Sequence, residues 1–174
     1  MTDDLAELIA SRLRDVPDFP QPGIVFKDIT PLLADAAAFA ASVRALAALA
    51  PDVDLVAGIE ARGFLLAGAI ATELDCGLMP VRKAGKLPPP TVHRAYALEY
   101  GTAEIEVPVN VLDGRTVLLV DDVLATGGTM RAAAELITEA GGHVAALGVL
   151  LELSFLEGRA ALAGLAPLTA LLIA

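Results

Sequence analysis

The stretch Val117-Leu118-Leu119-Val120-Asp121-Asp122-Val123-Leu124-Ala125-Thr126-Gly127-Gly128-Thr129-Met130 decides the fold of this chain and the kind of site it carries. Its four leading apolar residues predict a buried strand, and two carboxylates follow that strand. A loop of small and hydroxyl-bearing residues comes next, and a helical pattern then continues to Ala140. A strand, a Gly-rich turn and a helix N-terminus together form a site for a phosphate group.

The loop at residues 125–129 supplies the donors for that phosphate. Gly127 and Gly128 tolerate positive φ and add no side chain, so the backbone N–H groups can turn inward. Asp121 and Asp122 would lie beside the phosphate as acceptors for sugar hydroxyls or for Mg²⁺. The loop lacks the lysine of a Walker A motif, and acids stand where the dinucleotide fingerprint has glycines. A ribose 5-phosphate suits this combination.

Composition limits the class of protein. The chain has 174 residues, is 56% hydrophobic and carries a formal net charge of −10. Its length predicts a single domain over 1–174, and its acidity argues against a nucleic-acid or anionic-membrane partner. No apolar run reaches the roughly 18 residues that would span a bilayer. One cysteine and an N-terminus without a secretory pattern predict a cytoplasmic location.

Charge is unevenly distributed along the chain. The segment Met79–Arg94 contains no Asp or Glu but four cations, Arg82, Lys83, Lys86 and Arg94. This basic strip favours a small, highly charged anion as ligand, although a solvated loop explains the strip alone equally well.

Apolar runs without alternation, interleaved with helical patterns, predict a parallel sheet covered by helices on both faces. Ligands of such sheets bind at the carboxyl ends of the strands. Gly58–Phe64, which contains Arg62, and Pro80–Pro88 form two further strand ends with phosphate-binding groups. A helix is predicted over Asp3–Val16, and Asp35 is predicted to be the N-cap of another.

Several blocks give the chain a more specific resemblance. The stretch Val117–Met130 resembles the motif by which type I phosphoribosyltransferases bind phosphoribosyl diphosphate (PRPP). Asp18–Leu33, Leu98–Gly101 and the two further strand ends resemble the adenine phosphoribosyltransferase family in the same order. The resemblance implies a central parallel sheet flanked by helices, a small N-terminal hood over residues 17–33, and a flexible, β-like catalytic loop over 82–102.

The resemblance also implies a reaction, in which adenine and PRPP give AMP and pyrophosphate in purine salvage. It implies Mg²⁺ as cofactor, mainly carried by PRPP and with no protein ligand assigned, and a homodimer. In the hood, Phe26 would stack on the purine, and backbone groups of Val25 and Lys27 would recognise its edge. Such an edge discriminates well, because a wrong base leaves buried polar groups unpaired.

The other site residues are also implied by the resemblance. Residues 125–129 would hold the 5′-phosphate, and Asp121 and Asp122 the ribose hydroxyls and the cationic transition state. Glu99 would handle the proton of the base. The remaining substrate-binding residues would be Tyr100 and the pyrophosphate-binding Arg62, Lys83 and Lys86.

Two alternatives stay open from the sequence. One is a phosphoribosyltransferase for another purine, against which the hood block argues. The other is a regulator that binds PRPP without catalysis; such proteins usually carry a DNA-binding domain, for which this acidic chain has no room. The sequence assigns no role to His93, His143 or the segment after Arg159.

Overall fold

The computed structural model describes residues 3–98 and 101–174. Among these residues, no helix is long and apolar enough to cross a membrane. The helices are α1 (Asp3–Ala10), α2 (Thr30–Ala34), α3 (Ala36–Ala47), α4 (Gly63–Glu73), α5 (Gly128–Glu139) and α6 (Gly158–Ala161), with a 3-10 turn at Ser154–Leu156. The strands are β1 (Arg14–Pro17), β2 (Val25–Asp28), β3 (Leu55–Ile59), β4 (Gly77–Lys83), β5 (Thr91–Leu98), β6 (Gly101–Pro108), β7 (Thr116–Leu124), β8 (His143–Glu152) and β9 (Leu168–Ile173).

Seven strands form one sheet in the order β5-β6-β4-β3-β7-β8-β9. The five neighbouring strands β4, β3, β7, β8 and β9 are parallel, as predicted. Strands β5 and β6 form an antiparallel hairpin, which joins the sheet at β4 and forms one of its edges. Since the parallel strands are buried on both faces, they consist of continuous apolar runs such as Leu55–Ile59. The fold is the α/β architecture that the sequence predicts.

Helices cover the sheet on both faces and divide the core into two clusters. On one face α5 packs against β5, β6, β7 and β8, with Leu136 and Ile137 fully buried. On the other face α3 and α4 pack with α1 and α2, and Leu46 and Ile70 are fully buried. Asp35 caps α3 as predicted, because its carboxylate accepts the backbone N–H groups of Ala37 and Ala38.

The predicted helix over Asp3–Val16 is wrong in its second half. Helix α1 ends at Ala10, and Arg14–Pro17 instead pairs antiparallel with Val25–Asp28. Pro17 explains the change in part, because a proline disfavours helical backbone at the residue before it. The resulting two-stranded sheet carries the predicted hood. The domain boundaries stay predictions.

Strand β7 is longer than predicted. The acidic pair, Asp121 and Asp122, was predicted to follow the strand but lies within it. Its pairing with β3 stops at Val120, whereas its pairing with β8 continues to Leu124. The last four residues of β7 therefore have a neighbouring strand on one side only. The open side exposes Asp121 to a cleft at the carboxyl edge of the sheet.

Candidate functional site

The phosphate loop joins β7 to the N-terminus of α5. Gly127 is the N-cap residue of α5 and has a φ of 83°, a conformation that requires glycine in practice. Residues 123–130 and Asp121 line a small cavity of about 80 Å³. A cavity at a helix N-terminus with free backbone N–H groups is suited to bind a phosphate.

Beside the loop lie the two carboxylates. Burial and the neighbouring Asp122 carboxylate raise the pKa of Asp121 well above its usual range. Burial also raises the pKa of Asp122, against the opposing effect of the Arg62 charge. Because Asp122 is buried and Asp121 is only partly exposed, the adjacent carboxylates disfavour a double negative charge until a cation or a set of hydroxyl donors joins them.

Asp122 has an unsatisfied acceptor. Its Oδ2 is buried and lies 2.9 Å from Arg62 Nε, an ion pair without hydrogen-bond geometry. A buried acceptor without a hydrogen bond is costly, so this oxygen is suited to accept from a ligand hydroxyl or a metal-bound water. Among residues 3–98 and 101–174, no group of three or more His, Cys, Asp and Glu side chains could hold a metal ion.

Arg62 connects the acidic pair to the hood. It occupies the N-cap position of α4. The start of α4 lies so close to β7 that a Cβ added to Gly63 would stand 3.0 Å from Asp121 Oδ1. The Arg62 guanidinium carbon lies 4.9 Å from the centre of the Phe26 ring, within cation–π range. Arg62 thus faces Phe26 and Asp122, and its predicted contact with pyrophosphate stays a prediction.

In the hood, Phe26 packs edge-to-face on Phe19 at a centroid distance of 5.2 Å. Lys27 directs its ammonium away from the cleft to Asp15, at 2.7 Å. Only the backbone of Lys27 is therefore available towards a ligand near Phe26. Val25 is half exposed.

The basic strip is paired with acids from elsewhere in the chain, which the sequence pattern could not indicate. Lys86 Nζ donates to Glu60 Oε1 at 2.5 Å, and Arg82 Nε lies 3.4 Å from Glu60 Oε2. Burial alone would raise the pKa of Glu60, but hydrogen bonds from Lys86, from the Lys83 amide and from Arg82 lower it to about 2. Arg94 contacts Glu135 and Glu139 on α5.

Buried Glu106 holds the turn between β4 and β5. It is 1% exposed and accepts the backbone N–H groups of Lys86 and Leu87 at 2.6 and 2.8 Å. His93 lies next to it, with Nε2 2.8 Å from Thr91 Oγ1 and 3.7 Å from Glu106 Oε2. The hydrogen bonds of Glu106 therefore position the backbone of the predicted pyrophosphate-binding segment.

One cavity of about 670 Å³ joins the strand ends. Of the predicted site residues, it brings together Arg62, Lys83, Asp121, Asp122 and Thr129. Lys86 is held on Glu60 outside this lining, and the predicted residues Glu99 and Tyr100 lie outside the described residues. The lining also includes residues to which sequence reasoning gave no role, namely Ile59, Glu60, Ala61, Ala84, Tyr96, Ala103, Glu104 and Val123.

The residues without a predicted role had only weak signals. Glu60 stands in a strand end that the sequence marks, but nothing local shows that it pairs with Lys86. Tyr96 and Glu104 lie on the β5–β6 hairpin, whose alternation predicts strands without showing which positions meet the cleft. The peptide between Glu60 and Ala61, two residues that line the cavity, is cis.

The fold and the cleft define a protein that binds a phosphorylated sugar at the carboxyl edge of a parallel sheet. The phosphoribosyl transferase domain model matches residues 26–159, and the chain belongs to that family.

Relatives and solved structures give a narrower assignment. The chain is 57% identical to the adenine phosphoribosyltransferase of Mycobacteroides abscessus over 171 residues, which cover 97% of this chain and 96% of the relative. It is 61% identical to that of Kineococcus radiotolerans over 158 residues, which cover 89% and 85%. Within its family the chain falls among the adenine phosphoribosyltransferases.

Two crystal structures agree with this assignment. The adenine phosphoribosyltransferase of Rhodothermus marinus superposes with a TM-score of 0.93 at 43% identity, covering 99% of this chain and all of the other. The enzyme of Saccharomyces cerevisiae superposes with a TM-score of 0.90 at 35% identity, covering 98% and 99%. The yeast structure holds adenine and an imino-altritol bisphosphate.

Proposed function

We propose that this protein transfers the 5-phosphoribosyl group of PRPP to adenine and releases AMP and pyrophosphate. The observation that carries the proposal is the cavity of about 670 Å³ that joins three strand ends. The phosphate loop and the acidic pair adjoin it on one side, Lys83 lies on another, and Arg62 links it to Phe26 of the hood. The relatives named adenine phosphoribosyltransferase support the choice of base.

Each end of PRPP has a matching group in this arrangement. Backbone N–H groups and threonine hydroxyls of residues 125–129 hold the 5′-phosphate. Asp121 and Asp122 accept the ribose hydroxyls, and the buried Oδ2 of Asp122, which makes no hydrogen bond, supports that role. Lys83 holds the diphosphate as a point charge. Lys86 does the same once its ion pair with Glu60 breaks.

The bond changes follow from the substrates. A ring nitrogen of adenine attacks C1 of the ribose, the bond from C1 to the diphosphate oxygen breaks, and its electron pair leaves with pyrophosphate. The ribose becomes cationic as this bond breaks, so the negative charge of the Asp121–Asp122 pair favours the transition state. Glu99 takes the proton that adenine loses, directly or through the ring.

Base recognition is proposed for the hood. Phe26 and the Arg62 guanidinium face each other at 4.9 Å. Phe26 stacks on the purine, and backbone groups of Val25 and Lys27 pair with its amino-pyrimidine edge. The ion pair of Lys27 with Asp15 supports a backbone role for Lys27, because it turns the side chain elsewhere.

Three further features complete the proposal. Asp121 and Asp122 would hold a Mg²⁺ ion brought by PRPP, directly or through water, since the buried Asp122 Oδ2 makes no hydrogen bond; the ion would supply positive charge to the diphosphate. The protein is a homodimer, which the apolar Leu65 and Leu78 support, being 53% and 49% exposed on neighbouring α4 and β4. Sedimentation of the purified protein tests the dimer. The location is cytoplasmic, as the substrates and the single cysteine suggest.

A base-selectivity assay tests the proposal. Purified protein with PRPP and Mg²⁺ is given adenine, hypoxanthine or guanine, and the nucleotide formed is measured with a PRPP-free control. We expect kcat/KM for adenine to exceed the other two by at least ~10²-fold, because a mismatched edge leaves buried groups unpaired. Comparable rates for all three bases would refute adenine as substrate, and the absence of any nucleotide would refute catalysis.

A further inference from the structure

The segment at residues 157–162, after β8, lies directly against the outside of the phosphate loop. Gly158 and Gly127 face each other across this contact. A Cβ added to Gly158 would overlap the carbonyl oxygen of Ala125, and one added to Gly127 would overlap the carbonyl oxygen of Gly158. The added Cβ of Gly127 would also stand 3.0 Å from Ala161 Cβ. The loop and the segment are therefore in backbone-to-backbone contact on both sides.

The two glycines are needed for different reasons. Gly127 has a positive φ, so its backbone conformation already favours glycine. Gly158 does not have a positive φ, so another residue could adopt its backbone conformation. Space alone requires glycine at 158, which makes a side chain at that position a direct test of the contact.

The segment has attachments of its own that do not involve the loop. Arg159 pairs with Glu152 on β8 and donates to the carbonyl oxygen of Leu168 at 3.1 Å. Leu162 is 2% exposed and belongs to the core. Arg131, in the first turn of α5, donates to the carbonyl oxygen of Ala161 at 2.7 Å. The sheet and α5 thus hold the segment in place, and the phosphate loop packs against it.

We propose that Gly158 is a positioning residue for the 5′-phosphate, and that residues 157–162 set the shape of the phosphate loop. A loop whose N–H groups converge on a phosphate binds well only in one backbone conformation. The contact with Gly158 excludes outward displacements of Ala125 and Gly127 and so maintains that conformation. The inference rests on the proposed function only in its choice of AMP and PRPP as ligands.

Gly158→Ala tests the contact. Relief of such an overlap in a packed region costs about 1–3 kcal/mol, which corresponds to an affinity loss of about 5- to 150-fold. We expect the Kd for AMP and the KM for PRPP to rise by that factor, with kcat less affected. The Kd for pyrophosphate should stay unchanged, because pyrophosphate does not use the loop. Ala160→Ser, which adds one atom on the exposed side of the same helix, is the matched control.

A measurement on the wild-type protein covers the case in which Gly158→Ala does not fold. Hydrogen exchange is followed with AMP, with pyrophosphate, and with neither. AMP should slow the exchange of amides in 157–162 as well as in 125–129, whereas pyrophosphate should slow neither set. Protection confined to 125–129 would overturn the inference, as would a folded Gly158→Ala variant with wild-type AMP affinity. Wild-type protein that binds no AMP would instead contradict the proposed function.

Discussion

Replacing Gly127 by alanine measures how strictly the phosphate loop depends on its backbone conformation. At a φ of 83° a non-glycine residue costs about 1–2 kcal/mol. The new methyl group would also overlap the carbonyl oxygen of Gly158, and relief of that overlap costs about 1–3 kcal/mol more. The total is therefore about 2–5 kcal/mol.

This cost can appear in either of two quantities. If the loop keeps its shape, the free energy of unfolding falls by the full amount. If the loop moves instead, the affinity for the 5′-phosphate falls, by tenfold for each ~1.4 kcal/mol. Urea unfolding and calorimetric titration with AMP measure the two parts, and their sum should reach the predicted range. PRPP should lose affinity in parallel with AMP, since both carry the 5′-phosphate.

Gly164→Ala is the matched control. Gly164 has nearly the same φ, 82°, but an added Cβ there would meet no atom within 4 Å. This variant therefore bears the backbone cost without the overlap, and its AMP affinity should stay at the wild-type value. If Gly127→Ala matches Gly164→Ala in both unfolding free energy and AMP affinity, the argument from close contact is wrong.

Three further predictions concern the acids and their partners. Glu99→Gln should lower kcat by ~10²–10⁴-fold with little change in PRPP affinity, and near-wild-type kcat would exclude Glu99 as the proton acceptor. Arg62→Met should move the acidic limb of the pH profile of kcat/KM to higher pH. Burial raises the pKa of Asp122 and the Arg62 charge opposes that rise, so without the charge the Asp121–Asp122 pair stays protonated up to a higher pH. An unmoved limb, or an equal shift in Arg62→Lys, would contradict this reading of the ion pair. Glu106→Leu removes the acceptor of the Lys86 amide, so trypsin should cleave after Lys86 faster than in wild type, whereas Glu106→Gln should stay near wild type because it keeps an acceptor oxygen.

Much of the fold follows from local sequence patterns. The strands at Leu55–Ile59 and Leu168–Ile173 are short apolar runs between turn residues, a pattern that favours buried strands. Asp35 caps its helix through N–H groups two and three residues away, which is also a local effect. The predicted helix past Ala10 failed because the competing partner of Arg14–Pro17, the strand β2, begins only at Val25, eight residues after Pro17.

By itself, the sequence determined the α/β class, the Gly-rich loop before α5 and the family, since each depends on residues close together in the chain. Only the tertiary structure decided which groups meet. The ion pairs of Glu60 with Lys86 and of Asp122 with Arg62 span 26 and 60 positions, and the contact of Gly127 with Gly158 spans 31. These contacts depend on the order of strands in the sheet and on the close approach of backbones, and neither property is encoded in a short stretch of residues.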